Sequence, residues 1–111
     1  MILSSNNANQ VVPVKRIAAI DLGTNSFHAI IVDVYSDGSF RTLDKLKEMV
    51  ELAKGGLGKR LSPGAFKRGL KALRNIKRLA DSYECENILA YATSAIREAE
   101  NGGEFIQRSI D

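Results

Sequence analysis

The sequence predicts an α/β fold: a mixed sheet whose elements follow the order β-β-β-α-β-α. Three observations carry that expectation. Two apolar, β-branched runs at 17–20 and 27–35 are separated only by the polar loop Gly23-Thr24-Asn25-Ser26, so they read as neighbouring strands. An Asp-Gly pair, Asp37-Gly38, follows the second run and signals a hairpin into a third strand. One long amphipathic stretch then precedes a short apolar run at 87–91. That is the pattern of a crossover helix returning the chain parallel to an earlier strand.

Taken in order, residues 1–14 are polar and Asn-rich and read as a flexible leader, which leaves 15–111 as one small domain. Lys15 and Arg16 introduce the first strand, which ends at Asp21. In the loop that follows, glycine lets backbone approach a ligand, and successive free N–H groups form an anion-binding concavity. A carboxylate beside such a cradle is what metal-assisted phosphoryl chemistry needs, because a divalent ion must be held against phosphate oxygens. Ser36-Asp37-Gly38-Ser39 is read as a two-residue hairpin turn, so strands two and three are expected to be antiparallel.

Residues 40–52 also fit a helical period at Phe40, Leu43, Leu46, Met49 and Val50, but a segment leaving a tight turn pairs at once with its predecessor. A third strand is the preferred reading. The glycine-rich stretch at 54–59, KGGLGK, is a loop. It is not a P-loop, since Ala53 and Arg60 stand where glycine and a hydroxyl residue are required. Ser62 caps a helix with Pro63 at its first position. Phe66, Leu70, Leu73, Ile76, Leu79, Ala80 and Tyr83 then form one apolar stripe. Residues 87–91 read as a short buried strand, left through the polar loop Thr93-Ser94-Ala95-Ile96-Arg97. Asn101-Gly102-Gly103 is a break, and a second helix is expected from Glu104 onward.

Composition narrows the class. No run of 18 apolar residues exists, so neither a transmembrane helix nor a membrane partner is expected. The N-terminus lacks the basic and apolar regions of a secretory signal, and the single cysteine, Cys85, builds no disulfide framework. A cytoplasmic location and an idle thiol are therefore expected. His28, the only histidine, is read as a packed or hydrogen-bonded core residue rather than a catalytic base. The net charge is +3, and eight of the sixteen Lys and Arg residues fall within 59–78. Lys67, Lys71, Arg74 and Arg78 line one face of the helix. Such a stripe is more often solvated than bound to a partner, although it could serve an anionic one.

If the fourth strand runs parallel to the first, both end on one sheet edge. The 93–97 loop, with Arg97, then lies beside the 23–26 loop, with Asp21, and the two make a phosphate site. These loops also carry a family resemblance. DLGTNSFHAIIVDV and ATSAIREAENGGEFI resemble the two N-terminal signature stretches of the exopolyphosphatase and guanosine pentaphosphate phosphatase family. The resemblance extends over about residues 16–111. It implies a ribonuclease-H-like sheet of the actin-like ATPase superfamily, incomplete here, with 40–52 as its third strand.

The resemblance also implies an enzyme that hydrolyses a terminal phosphoanhydride of inorganic polyphosphate or guanosine pentaphosphate with magnesium. By motif position, Asp21 would orient the metal or its water. Gly23, Thr24, Asn25 and Ser26 would cradle phosphate, Arg97 would pair with phosphate oxygens, and Ser94 would add a hydroxyl. A full-length homologue is expected to be a homodimer, and nucleic acid is not expected as a partner. The family's catalytic glutamate, in S-G-x-E-E-A, and its second phosphate motif, D-x-G-G-G-S, do not occur in these residues; the glutamate is expected beyond Asp111. No catalytic residue is therefore expected in this chain, which on its own is expected to be inactive. Two alternatives stand beside this reading: an ATP-binding member of the same superfamily, and a non-catalytic module that binds polyanions through Lys67, Lys71, Arg74 and Arg78.

Overall fold

The computed structural model describes residues 12–52, 61–92 and 101–110. Its elements are β1 (Pro13–Leu22), β2 (Ser26–Tyr35), β3 (Phe40–Met49), α1 (Pro63–Ser82), β4 (Asn87–Ala92) and α2 (Gly102–Ile110), in the expected order. The strands form a sheet in the order β3-β2-β1-β4. β1, β2 and β3 are antiparallel neighbours, and β4 runs parallel to β1.

Strand alternation decides which side is covered. Ala18, Ile20 and Leu22 of β1 pair with Ile31, Ala29 and Phe27 of β2, and all six are buried against the helices. From α1, Phe66, Leu70, Ile76 and Ala80 of the expected stripe are buried, together with the small residues Ala65, Gly69 and Ala72. α1 begins as the sequence indicates: Ser62 Oγ accepts from the Ala65 N–H at 3.1 Å, and Pro63 opens the helix. Phe105 of α2 is fully buried and meets Phe66 and Phe27 edge-on, with ring centroids 5.3 and 6.5 Å away. Burying each such side chain contributes about 1.5–3 kcal/mol.

Four readings need correction. β1 starts at Pro13, inside the stretch taken as leader; a proline at a strand's first residue removes no donor the ladder needs. The β2–β3 turn is not a two-residue loop. The Tyr35 N–H donates to Ser39 O, the Gly38 N–H donates to Tyr35 O, and Gly38 sits at φ +87°. That is a three-residue loop whose last residue is left-handed, and it is stabilised by Asp37 Oδ1, which accepts from both the N–H and the hydroxyl of Ser39.

β4 is not buried. Ile88, Leu89 and Tyr91 are all exposed, because among the described residues β4 has a neighbour on one side only. Finally, α2 starts at Gly102 rather than Glu104. Asn101 is pinned by its amide to Leu61, accepting from the N–H at 2.7 Å and donating to the carbonyl at 3.0 Å. The two glycines therefore enter the first helical turn instead of breaking the chain. The KGGLGK loop lies outside the described residues.

Candidate functional site

β1 carries Ile20 and Leu22 on the helix-covered face, so the alternation sends Asp21 to the opposite, open face. Its side chain is exposed and has no hydrogen-bond or ion-pair partner among the described residues. In register it faces His28 on β2 and Tyr91 on β4, and Lys47 of β3 lies beyond His28. His28 is thus exposed on the sheet's open face, not packed in the core. Its Nε2 lies 3.1 Å from Ser26 Oγ, which ties it to the loop.

Loop 23–26 is built by backbone geometry. The Gly23 N–H donates to Ser26 O at 3.1 Å and closes the turn. A Cβ on Gly23 would stand 2.7 Å from that same carbonyl oxygen, so only glycine fits. Glycine here serves the close approach of the chain to itself, and its N–H is already engaged. The carbonyls on the inner side of the loop are held by the chain after β3. Thr24 O accepts from Leu52 N–H, and Asn25 O accepts from both Val50 N–H and Glu51 N–H, at 2.8–3.0 Å. The Asn25 N–H shares its trans peptide with Thr24 O and lies antiparallel to it, so this donor is turned away from that support. It has no partner among the described residues, nor has the Thr24 N–H. These two donors and the Thr24 and Ser26 hydroxyls are what the loop offers an anion.

The support is itself braced. Glu51 holds φ +44°, a left-handed conformation costly for a residue with a side chain. Arg68 of α1 donates to Val50 O at 2.8 Å and to Glu51 O at 2.7 Å, fastening this turn to the helix. The sequence reading missed Arg68, because one arginine in a basic helix looks like its solvated neighbours. Its one distinguishing signal is position, a single residue off the stripe of Lys67, Lys71, Arg74 and Arg78.

The parallel register sets Ala92, the last residue of β4, beside Leu22, the last of β1. The chain after β4 therefore departs from the edge where loop 23–26 sits. Ser94 and Arg97 lie outside the described residues. Among the described residues no cluster of three His, Cys, Asp or Glu side chains is placed to hold a metal. Asp21 is the carboxylate that the strand end brings to the loop. Elsewhere, burial pushes the Cys85 thiol up, consistent with an idle side chain packed near Ala18 and Ala80.

A three-stranded antiparallel meander, a crossover helix and a fourth strand parallel to the first, with an acidic residue and a glycine turn at the shared edge, define the sheet of an actin-like ATPase fold. Within that class the chain belongs to the Ppx/GppA phosphatase family, whose pattern matches residues 30–110. It is 42% identical over 94 residues to the guanosine-5'-triphosphate,3'-diphosphate pyrophosphatase of Vibrio cholerae, an alignment covering 83% of this chain and 18% of that protein. The crystal structure of an exopolyphosphatase from Cytophaga hutchinsonii superposes with a TM-score of 0.79 at 34% identity, covering 86% of this chain and 30% of the other. A Ppx/GppA family member from Aquifex aeolicus gives 0.77 at 30% identity, covering 86% and 31%. The chain thus spans less than a third of the length of each.

Proposed function

We propose that this chain supplies the first phosphate and metal loop of a phosphoanhydride hydrolase acting on inorganic polyphosphate or guanosine pentaphosphate. The observation that carries the reading is the placement at one sheet edge of the Asp21 carboxylate and the N–H groups of Thr24 and Asn25, all unpartnered among the described residues. Magnesium keeps several waters and takes only one or two carboxylates plus substrate phosphates, so a lone Asp21 is an adequate protein ligand for it. When bound, the ion would neutralise charge on the phosphate oxygens. Gly23 would keep the turn closed while Thr24, Asn25 and Ser26 donate to phosphate. Arg97, with its planar and permanently charged fork, would pair with phosphate oxygens, and Ser94 would add a hydroxyl. A cytoplasmic setting and a homodimeric full-length enzyme fit this reading.

The 111 residues, Met1 to Asp111, include neither S-G-x-E-E-A nor D-x-G-G-G-S, so they lack a carboxylate assigned to activate the attacking water. The expected behaviour is binding without turnover. Calorimetry should give magnesium-dependent binding of pyrophosphate that Asp21→Ala weakens by about tenfold or more, the loss of one charged ligand. Assays for released phosphate should stay at background. Binding indifferent to both magnesium and Asp21→Ala would defeat the assignment of the loop, and turnover by the 111-residue chain would defeat the division of labour.

A further inference from the structure

We propose that His28 is a positioning residue for the phosphate loop: its Nε2–H donates to Ser26 Oγ, which leaves the one hydroxyl proton of Ser26 for a phosphate oxygen. This role rests on the reading of loop 23–26 as a phosphate site. Ser26 and His28 stand two residues apart on β2, so both project from the open face, where Asp21 lies opposite His28. His28 Nε2 is 3.1 Å from Ser26 Oγ, and neither side chain has another partner among the described residues. The backbone of Ser26 is already fixed. Its carbonyl accepts from the Gly23 N–H, and in register it faces Met49 of β3. What stays free is rotation of the side chain among its staggered settings, and of the hydroxyl itself. A hydrogen bond from His28 selects one arrangement before the ligand arrives.

The direction of that hydrogen bond decides what Ser26 offers. A hydroxyl has one proton and two lone pairs. If Ser26 gave its proton to the ring, only lone pairs would remain, and these suit a cation and oppose a phosphate oxygen. With the ring as donor, the proton is released, and the bond received at Oγ strengthens the one it gives. A phosphate oxygen only accepts. Once it takes the Ser26 proton, the ring nitrogen 3.1 Å from Oγ has to be the one that donates. The surrounding charges agree with this direction. Lys47 opposes His28 from β3, and its ammonium only donates, so it is compatible with a lone pair on Nδ1 and not with a proton there. Asp21, opposite on β1, is the carboxylate assigned to magnesium.

The test uses the intact 111-residue chain at one fixed pH, with magnesium and pyrophosphate as the probe. His28 is the only histidine, so its ring nitrogens give unambiguous 15N NMR signals. In the complex Nε2 should carry a proton, and its signal should move when Ser26→Ala removes the hydroxyl. An unprotonated Nε2 would overturn the proposal, since Ser26 would then be spending its proton on the ring, and so would a signal that Ser26→Ala leaves in place. This arm reads the parent ring and does not depend on how a His28 variant folds. Calorimetry supplies the second readout. His28→Ala should weaken pyrophosphate binding by about three- to tenfold, the net worth of one hydrogen bond. His28→Gln, whose side-chain amide also donates, should recover most of that loss. Ser26→Ala should weaken binding at least as much, and adding His28→Ala to it should cost less than about twofold more, because the histidine acts through that hydroxyl. Additive losses would overturn the proposal. Binding indifferent to both magnesium and Asp21→Ala defeats the reading of the loop itself, whereas binding that needs both yet ignores His28→Ala defeats the role of His28 alone.

Discussion

Glycine at position 23 shows how a residue's role shifts once its neighbours are known. The sequence marks it as a place for a ligand to come close; the structure makes it the place where Ser26 O comes close, 2.7 Å from where a Cβ would be. A carbonyl in the backbone of a four-residue turn has nowhere to retreat. Gly23→Ala should therefore open the turn, losing the Gly23–Ser26 hydrogen bond and destabilising the chain by about 1–3 kcal/mol. Magnesium-dependent pyrophosphate binding should weaken with it. Urea unfolding beside calorimetry checks both, and an alanine variant with unchanged stability would show that the turn can relax. Asp21 was legible in the sequence as a lone carboxylate at a strand end. The local sequence pattern could not reveal that the Thr24 and Asn25 carbonyls are turned inward. That orientation depends on Val50, Glu51 and Leu52, which are distant in sequence and adjacent only once β3 has paired with β2.

At the scale of elements, the informative position is Gly69, in the middle of α1, where glycine costs about 1 kcal/mol relative to alanine. Its reason lies on another element: a Cβ there would stand 2.6 and 2.7 Å from the Cε1 and Cζ of Phe105, the residue that docks α2. Gly69→Ala should gain the helix propensity and lose more through overpacking, which costs about 1–3 kcal/mol. The net expectation is destabilisation by about 1 kcal/mol, with hydrogen-exchange protection lost first in α2. In a Phe105→Ala background the same substitution should become neutral or stabilising, because the ring it strikes is gone. Additive effects in that double-mutant cycle would mean the two residues do not meet. Periodicity found α1 and its large apolar residues, yet it passed over Ala65, Gly69 and Ala72. Small side chains weigh little in a hydrophobic pattern even where packing makes them indispensable. It also mistook β4 for a buried strand, since an apolar run records a tendency to be covered rather than the presence of a cover.

For the molecule as a whole, order and topology were readable because a tight turn and a capped amphipathic helix allow few arrangements. The contacts that lock the far end of the sheet were not. Arg16, which reads as a charge preceding the first strand, reaches across to Asp33 on β2 through two hydrogen bonds of 2.7 and 3.1 Å, and to Tyr83 O at the end of α1 at 3.2 Å. The Tyr83 hydroxyl donates in turn to Asp44 of β3 at 2.8 Å. Strands β1, β2 and β3 are thus fastened to the helix terminus by charge and hydrogen bonding, with Asp33 only 7% exposed. The Arg16 hydrogen bonds hold the Asp33 carboxyl below its ordinary range. Its stabilisation is therefore fully present above the unfolded carboxylate value of about 3.9 and fades as pH falls through the lower folded value. Donation to the Asp44 carboxylate pushes the Tyr83 phenol up, so that contribution persists below the unfolded value of about 10 and is lost as pH rises through the folded one. The latch should give a plateau of stability between about pH 4 and pH 10. Asp33→Asn keeps the shape and removes the charge. It should be less stable than the parent chain at about pH 7, and the gap should close as pH falls through the lowered carboxylate value of the folded state. Thermal melts across that range decide the matter: parallel curves for the two proteins would mean that the Arg16–Asp33 pair does not set the acid limb.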